Sequence, residues 1–127
     1  MKPLVRSLII YISSDMDNEV AAAAFGALGH PSRIAILRYL VECGPTGTDM
    51  TSMSKELGIA WTTLNHHLDH LKLAGLVAGE KSGRRVVHRA CFDRMRAMSA
   101  FILENCCIRE PERMTEDASL ARACGCD

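Results

Sequence analysis

The residues best equipped for chemistry in this chain are its cysteines. There are six in 127 residues: Cys106 and Cys107 are adjacent, Cys124-Gly125-Cys126 stands at the end, and Cys43 and Cys91 stand alone. This clustering is unlike a disulfide framework. With no convincing secretory signal in MKPLVRSLIIYI, the chain is expected in the cytoplasm, where clustered thiols point to metal or redox chemistry. Soft thiolates select soft ions. Adjacent cysteines are poor disulfide partners, because a bridge between them closes a strained eight-membered ring, which favours ligand over bridge. The first apolar run is also too short to span a bilayer, which needs about 20 residues. No nucleophile–base pair, paired carboxylates or phosphate-cradling glycine loop is present, so the sequence points away from an enzyme.

The elements that must position these thiols are organised around Thr51–Leu76. Two short helices are predicted there, Ser52–Leu57 and Trp61 to about Ala74. Gly58-Ile59 forms the turn, with Gly58 free to take a positive φ. The second helix has an inward stripe of Leu64, Leu68, Leu71 and Gly75. Its opposite face carries Thr62, Asn65, His66 and Asp69. A polar, short-armed helix braced by a shorter one suits a DNA major groove. Thr62, Thr63, Asn65 and His66 are the candidate contacts. Asp69 would repel phosphates, and so is assigned to a cytosine amino group or a neighbouring side chain. His67 belongs with the leucine stripe, and Trp61 reads as a hydrophobic brace.

After Gly75 the period changes to two. Leu76–Lys81 and Arg85–Ala90 read as strands joined by Ser82-Gly83-Arg84, a hairpin with a basic tip of Lys81, Arg84 and Arg85. A hairpin behind a helix-turn-helix is the wing of a winged helix domain. The formal net charge is zero, but its distribution is uneven. Residues 55–89 hold six basic and three acidic side chains, while residues 1–54 hold four and five, and residues 90–127 five and seven. The basic excess therefore lies on the helix pair and wing, where phosphate contact is decided locally.

Upstream, Asp17 is a suitable N-cap for a helix over Asn18–Leu28, rich in alanine with Val20, Phe25 and Leu28 as anchors. Pro31 opens a second helix to about Glu42 that is expected to bury Ile34, Leu37, Leu40 and Val41. Gly47-Thr48-Asp49 reads as loop, and Cys43 as a core or cap cysteine. Downstream, Asp93 starts a last helix to about Cys107, with Met95, Met98, Ile102 and Cys106 on one stripe. So apolar a terminal helix in so small a domain is expected to pack on a partner subunit together with the first helix. The expected fold is mainly α with a β-hairpin, in the order α-α-α-α-β-β-α, a winged helix-turn-helix forming a homodimer through its first and last helices. Residues 1–15 read as an extension, with Met16 an alternative start; residues 16–107 as the DNA-binding and dimerisation domain; and residues 108–127 as a flexible cysteine-containing tail.

In this order the pieces resemble the ArsR/SmtB group of small winged helix repressors. The likeness rests on FGALGHPSRIAILRYL (Phe25–Leu40), LGIAWTTLNHHLDHLKLAGL (Leu57–Leu76), GRRVVH (Gly83–His88) and FILENCC (Phe101–Cys107), and covers about Asn18 to Cys107. The resemblance implies a dimeric repressor that leaves its double-stranded operator when a soft metal or metalloid binds. It also implies the first and last helices at the dimer interface and the fourth helix in the major groove. Two sensing sites of the group are absent. Ser52–Leu57 lacks the Cys-x-Cys that some members carry before the recognition helix. The last helix offers Met95 and Met98 but none of the histidines of the zinc-sensing members.

Glu104–Cys107 resembles the arsenic-responsive members instead. As(III) or Sb(III) as inducer takes three thiolates, so Cys106 and Cys107 need one more. Cys124 or Cys126 is the expected donor, within reach of a linker spanning on the order of 50 Å when extended. Cys91 is the runner-up, and a methylated trivalent species would need only two sulfurs. Two alternatives remain open: a repressor sensing redox state or reactive sulfur, and a thiol metal buffer that binds no DNA.

Overall fold

The computed structural model describes residues 16–109. The order is α1 (Asn18–Ala27), α2 (Pro31–Cys43), a 3-10 turn (Gly44–Thr46), β1 (Thr48–Asp49), α3 (Met50–Leu57), α4 (Trp61–Leu73), β2 (Val77–Ser82), β3 (Arg85–Ala90) and α5 (Phe92–Leu103). The winged helix-turn-helix expectation holds. The extension 1–15 and most of the tail, with Cys124 and Cys126, lie outside the described residues.

Local chemistry sets the boundaries. Asp17 caps α1 by accepting from the Val20 N–H at 2.8 Å. Pro31 occupies the first turn of α2, where the missing N–H costs nothing. Arg33 Nε donates to the Ala27 carbonyl, tying the start of α2 to the end of α1. Asp49 caps α3 through the Ser52 N–H at 2.8 Å. Gly58 ends α3 at φ 65°, in the left-handed region that glycine enters without penalty.

The core is one cluster. Leu64, Leu68 and Leu71 of α4 are fully buried against Ile36 and Leu40 of α2 and Met53 of α3, and Val77, Ala90 and Met98 close it from the wing and α5. The predicted face of α2 is only half right. Leu37 and Leu40 are buried, but Ile36 takes the deepest place while Ile34 and Val41 are exposed.

Three further expectations are corrected. Thr48-Asp49 is strand, not loop: it pairs antiparallel with β3 through Thr48↔His88 and Asp49↔Val87, giving a three-stranded sheet in the order β1-β3-β2. The close pairing needs glycine just before it, because a Cβ on Gly47 would lie 2.3 Å from the His88 carbonyl oxygen. Trp61 is 56% exposed, not a buried brace. The last helix ends at Leu103, and Glu104 turns to extended backbone at ψ 134°, so Cys106 and Cys107 lie beyond α5. The wing itself is as expected, with β2 and β3 in register from Val77↔Ala90 to Ser82↔Arg85 around a two-residue loop. Gly83 opens that loop at φ 65°, which suits the twist of a hairpin.

Candidate nucleic-acid interface and thiol cluster

The helix pair holds α4 so that its leucines point inward and its polar side outward. Ser54 Oγ donates to the Ile59 carbonyl at 2.6 Å, locking the turn between α3 and α4. Thr62, Thr63, Asn65, His66 and Asp69 are all exposed on α4. Trp61 stands exposed at its start. His67 is buried, as its place beside the leucines predicts. Its ring lies 4.7 Å from that of His30. Burial first, and then the nearby His30 and Arg33, push the His67 pKa below the ordinary imidazole value. His67 therefore packs with the leucines and does not share the exposed face of Asn65 and His66.

Sequence reasoning missed His70. It is exposed one turn beyond His66, and the two Nε2 atoms are 3.3 Å apart. The signal is the His-x-x-x-His spacing, which places two side chains on one face of a helix.

The wing presents Lys81, Arg84 and Arg85, all exposed. They are not equivalent. Arg85 is ion-paired with Asp49, whose other carboxylate oxygen caps α3. Arg89 pairs with Glu80 across the strands. Beneath the wing His88 is fully buried, with both ring nitrogens unpartnered. Burial, then the charge of Lys72, lowers its pKa, while Asp69 acts the other way.

At the end of α5 the chain turns sharply. Asn105 and Cys107 both adopt positive φ, 60° and 62°. For Cys107 this is an uncommon conformation. It brings the Cys106 and Cys107 sulfurs to 3.3 Å. That is far longer than the S–S bond of about 2.05 Å, so the two are not joined to each other. Cys106 is exposed, Cys107 half-buried. Cys43 and Cys91 are free thiols. Cys91 is partly buried at the N-cap of α5, and burial raises its pKa, which disfavours the thiolate a metalloid needs. Cys43 is partly buried at the end of α2. Among the described residues no three His, Cys, Asp or Glu side chains converge on a metal position. Phe25 of α1 with Ser99, Ile102 and Leu103 of α5 lines an open apolar groove of about 430 Å³.

A helix-turn-helix with an outward polar helix, backed by a basic wing, defines the class of winged helix DNA-binding proteins. Residues 30–78 match the family described as "Bacterial regulatory protein, arsR family". An HTH-type transcriptional regulator of Methanocaldococcus jannaschii is 40% identical over 65 residues, 51% of this chain and 71% of that one. The HTH-type transcriptional regulator NmtR of Mycobacterium tuberculosis is 33% identical over 79 residues, 60% of this chain and 63% of that one. The chain thus spans less than two thirds of NmtR. An ArsR-like transcriptional regulator from Rhodococcus sp. RHA1 superposes with a TM-score of 0.63 at 26% identity, over 83% of this chain and 92% of that one. A homodimeric winged helix-turn-helix domain from Mycobacterium bovis shares the fold, with a TM-score of 0.55 at 23% identity, over 68% of this chain and 81% of that one.

The chain belongs to the ArsR family of bacterial regulatory proteins. It is a DNA-binding transcriptional regulator and not an enzyme. Among the described residues no single helix is long and apolar enough to cross a membrane.

Proposed function

We propose that this regulator is a homodimeric repressor that leaves its operator when trivalent arsenic or antimony binds its thiolates. Residues 16–107 form the DNA-binding and dimerisation domain, in the cytoplasm. Thr62, Thr63, Asn65 and His66 of α4 read the major groove, and Lys81, Arg84 and Arg85 hold flanking phosphates. The groove of Phe25, Ile102 and Leu103 lies on α1 and α5, the two helices expected at the subunit interface. Two recognition helices must then meet half-sites about 34–36 Å apart. A dimer contact that shifts α5 changes that spacing.

The observation that carries the inducer is the 3.3 Å separation of the Cys106 and Cys107 sulfurs. Metal–sulfur bonds of about 2.3 Å meeting at roughly a right angle put two sulfurs about 3.3 Å apart. A pyramidal three-thiolate centre needs such an edge and one more sulfur, from Cys124 or Cys126. Changing Cys106 and Cys107 to serine together leaves operator binding intact and abolishes release by arsenite. A double variant that still lets go of DNA with arsenite refutes the assignment.

A second reading is a thiol redox switch, in which oxidation links two cysteines; the close approach of the Cys106 and Cys107 sulfurs marks where such chemistry would start. Here oxidation itself releases the operator. Release by peroxide or persulfide without metalloid, reversed by a dithiol reductant, selects it. Membership of a family of transcriptional regulators sets aside the metal buffer that binds no DNA.

A further inference from the structure

His66 and His70 stand one turn apart on the exposed face of α4, their Nε2 atoms 3.3 Å apart. Their rings are nearly perpendicular, at 81°, with centroids 4.8 Å apart. One ring can donate to the other across this contact, as a long N–H···N hydrogen bond. The same separation also suits a pair of ligands. Metal–nitrogen bonds of about 2.05 Å at the tetrahedral angle place two ligand nitrogens about 3.3 Å apart. Histidines four residues apart on a helix are also the spacing with which helices present two imidazoles to one zinc ion.

We propose that His66 and His70 chelate a borderline divalent cation, of which Zn²⁺ is the probe, and that the bound ion excludes DNA from this face of α4. Imidazole nitrogen suits zinc, nickel and copper(II). It does not suit trivalent arsenic, so this ligand is chemically separate from the thiolate inducer. Among the described residues no third His, Cys or carboxylate joins the pair. Water fills the remaining positions, and the site is open and readily exchanging.

The exclusion follows from where the pair sits, and it rests on the groove-facing reading of α4. A ring nitrogen of His66 that holds a cation is no longer available to a base edge or phosphate. The hydrated ion also fills space that the groove wall must occupy. Ion and duplex then oppose each other reciprocally, each weakening the other by the same factor.

The test uses the full chain, reduced, titrated with ZnCl₂ while the imidazole nitrogens are followed by NMR. The His66 and His70 ring signals are expected to shift together and saturably, and to do so equally in a variant with Cys106 and Cys107 changed to serine. His70→Ala, at an exposed helical position, is expected to weaken zinc at His66 by more than about tenfold. Duplex binding, read by fluorescence anisotropy on DNA from upstream of the gene, is expected to weaken with zinc in the parent protein. In His70→Ala the zinc-free affinity is unchanged and the zinc effect is lost. Ring signals that ignore zinc overturn the chelate. A zinc effect on duplex binding that persists in His70→Ala overturns the exclusion. Ring shifts in a protein that binds no duplex overturn the exclusion together with the DNA reading of α4, and leave the chelate standing.

Discussion

Arg84 and Arg85 are neighbours at the wing tip, yet the structure predicts that they contribute differently to DNA affinity. Arg85 is 70% exposed but already paired with Asp49. Arg84 has no acidic partner among the salt bridges of the described residues. Each phosphate neutralised by a cation lowers the slope of log K against log salt by about 0.9. Arg84→Ala is therefore expected to flatten that slope by about 0.9 per subunit, so that between about 50 and 200 mM salt it loses roughly 3.5-fold less affinity per subunit than the parent, about 12-fold less for a dimer.

Arg85 must leave Asp49 to meet a phosphate, so Arg85→Ala should change the slope by well under half as much. Asp49→Asn separates the causes. Asparagine keeps the cap on the Ser52 N–H, since it is as good an N-cap as aspartate. It removes the negative charge that holds Arg85. Affinity should rise in Asp49→Asn, and Arg85→Ala made in that background should recover the full change of about 0.9. The assay is anisotropy of a labelled duplex over a salt series, with the helical circular dichroism of each variant checked against the parent. Equal slopes for Arg84→Ala and Arg85→Ala in the parent background would refute the reasoning.

Leu68 is fully buried between α2 and α3, and Leu68→Ala is expected to destabilise the fold by about 2–5 kcal/mol in urea unfolding. His67 and His88 both have folded pKa values below 6.5, chiefly through burial. The unfolded chain then binds more protons just below that value, so stability is full above pH 6.5 and falls as pH drops through the folded pKa values. The urea midpoint should fall between about pH 7.5 and 5.5, and His88→Gln should reduce that fall. Gly47→Ala puts a Cβ into the His88 carbonyl at a φ of 73°; loss of protection at the β1–β3 amides by hydrogen exchange is the expected outcome, and unchanged protection would contradict the close pairing.

Much of this is legible in the sequence where one physical signal stands alone. Leu64, Leu68 and Leu71 are spaced for a helix face and nothing polar competes with them, so the inward side of α4 and the burial of His67 follow. The basic hairpin is equally direct. In α2 apolar residues occupy almost every side: Ile34, Ala35, Ile36, Leu37, Tyr39, Leu40 and Val41. Periodicity cannot choose a face there, and packing against α4 and β3 decides for Ile36. β1 is two residues long, too short for any alternation to show. The stripe of α5 continues in sequence through Ile102 to Cys106, but the helix ends at Leu103: Glu104 is extended and Asn105, a residue that accepts left-handed backbone, follows it at φ 60°. The His66–His70 pair is readable in its spacing, and weighing the histidines one by one hides it.

The end of α4 and the start of α5 form one joint, and this bears on how any signal at the thiols reaches DNA. Gly75 leaves α4 at φ 75°, and the Leu76 N–H returns to the Leu71 carbonyl at 2.9 Å, so the helix stops at a fixed angle. The Cys91 N–H then donates to the Leu76 carbonyl at 2.8 Å, and the Arg94 guanidinium lies against Gly75, where a Cβ would approach it to 3.0 Å. The first turn of α5 is thus seated on the last turn of α4. Twelve residues at about 1.5 Å each make α5 a lever of roughly 18 Å, with the joint at one end and the thiol turn just past the other. On the proposed function, a clamp on Cys106 and Cys107 would pull on the far end of that lever, whether the clamp is a metalloid or a disulfide. Because the seated end cannot slide without breaking the Cys91–Leu76 bond, the pull is relieved by tilting α5 together with α4. On the proposed function the inducer chemistry and the DNA output are therefore separable: substitutions at the thiols are expected to change which signal is heard, and substitutions at Gly75 or Arg94 whether α4 hears it.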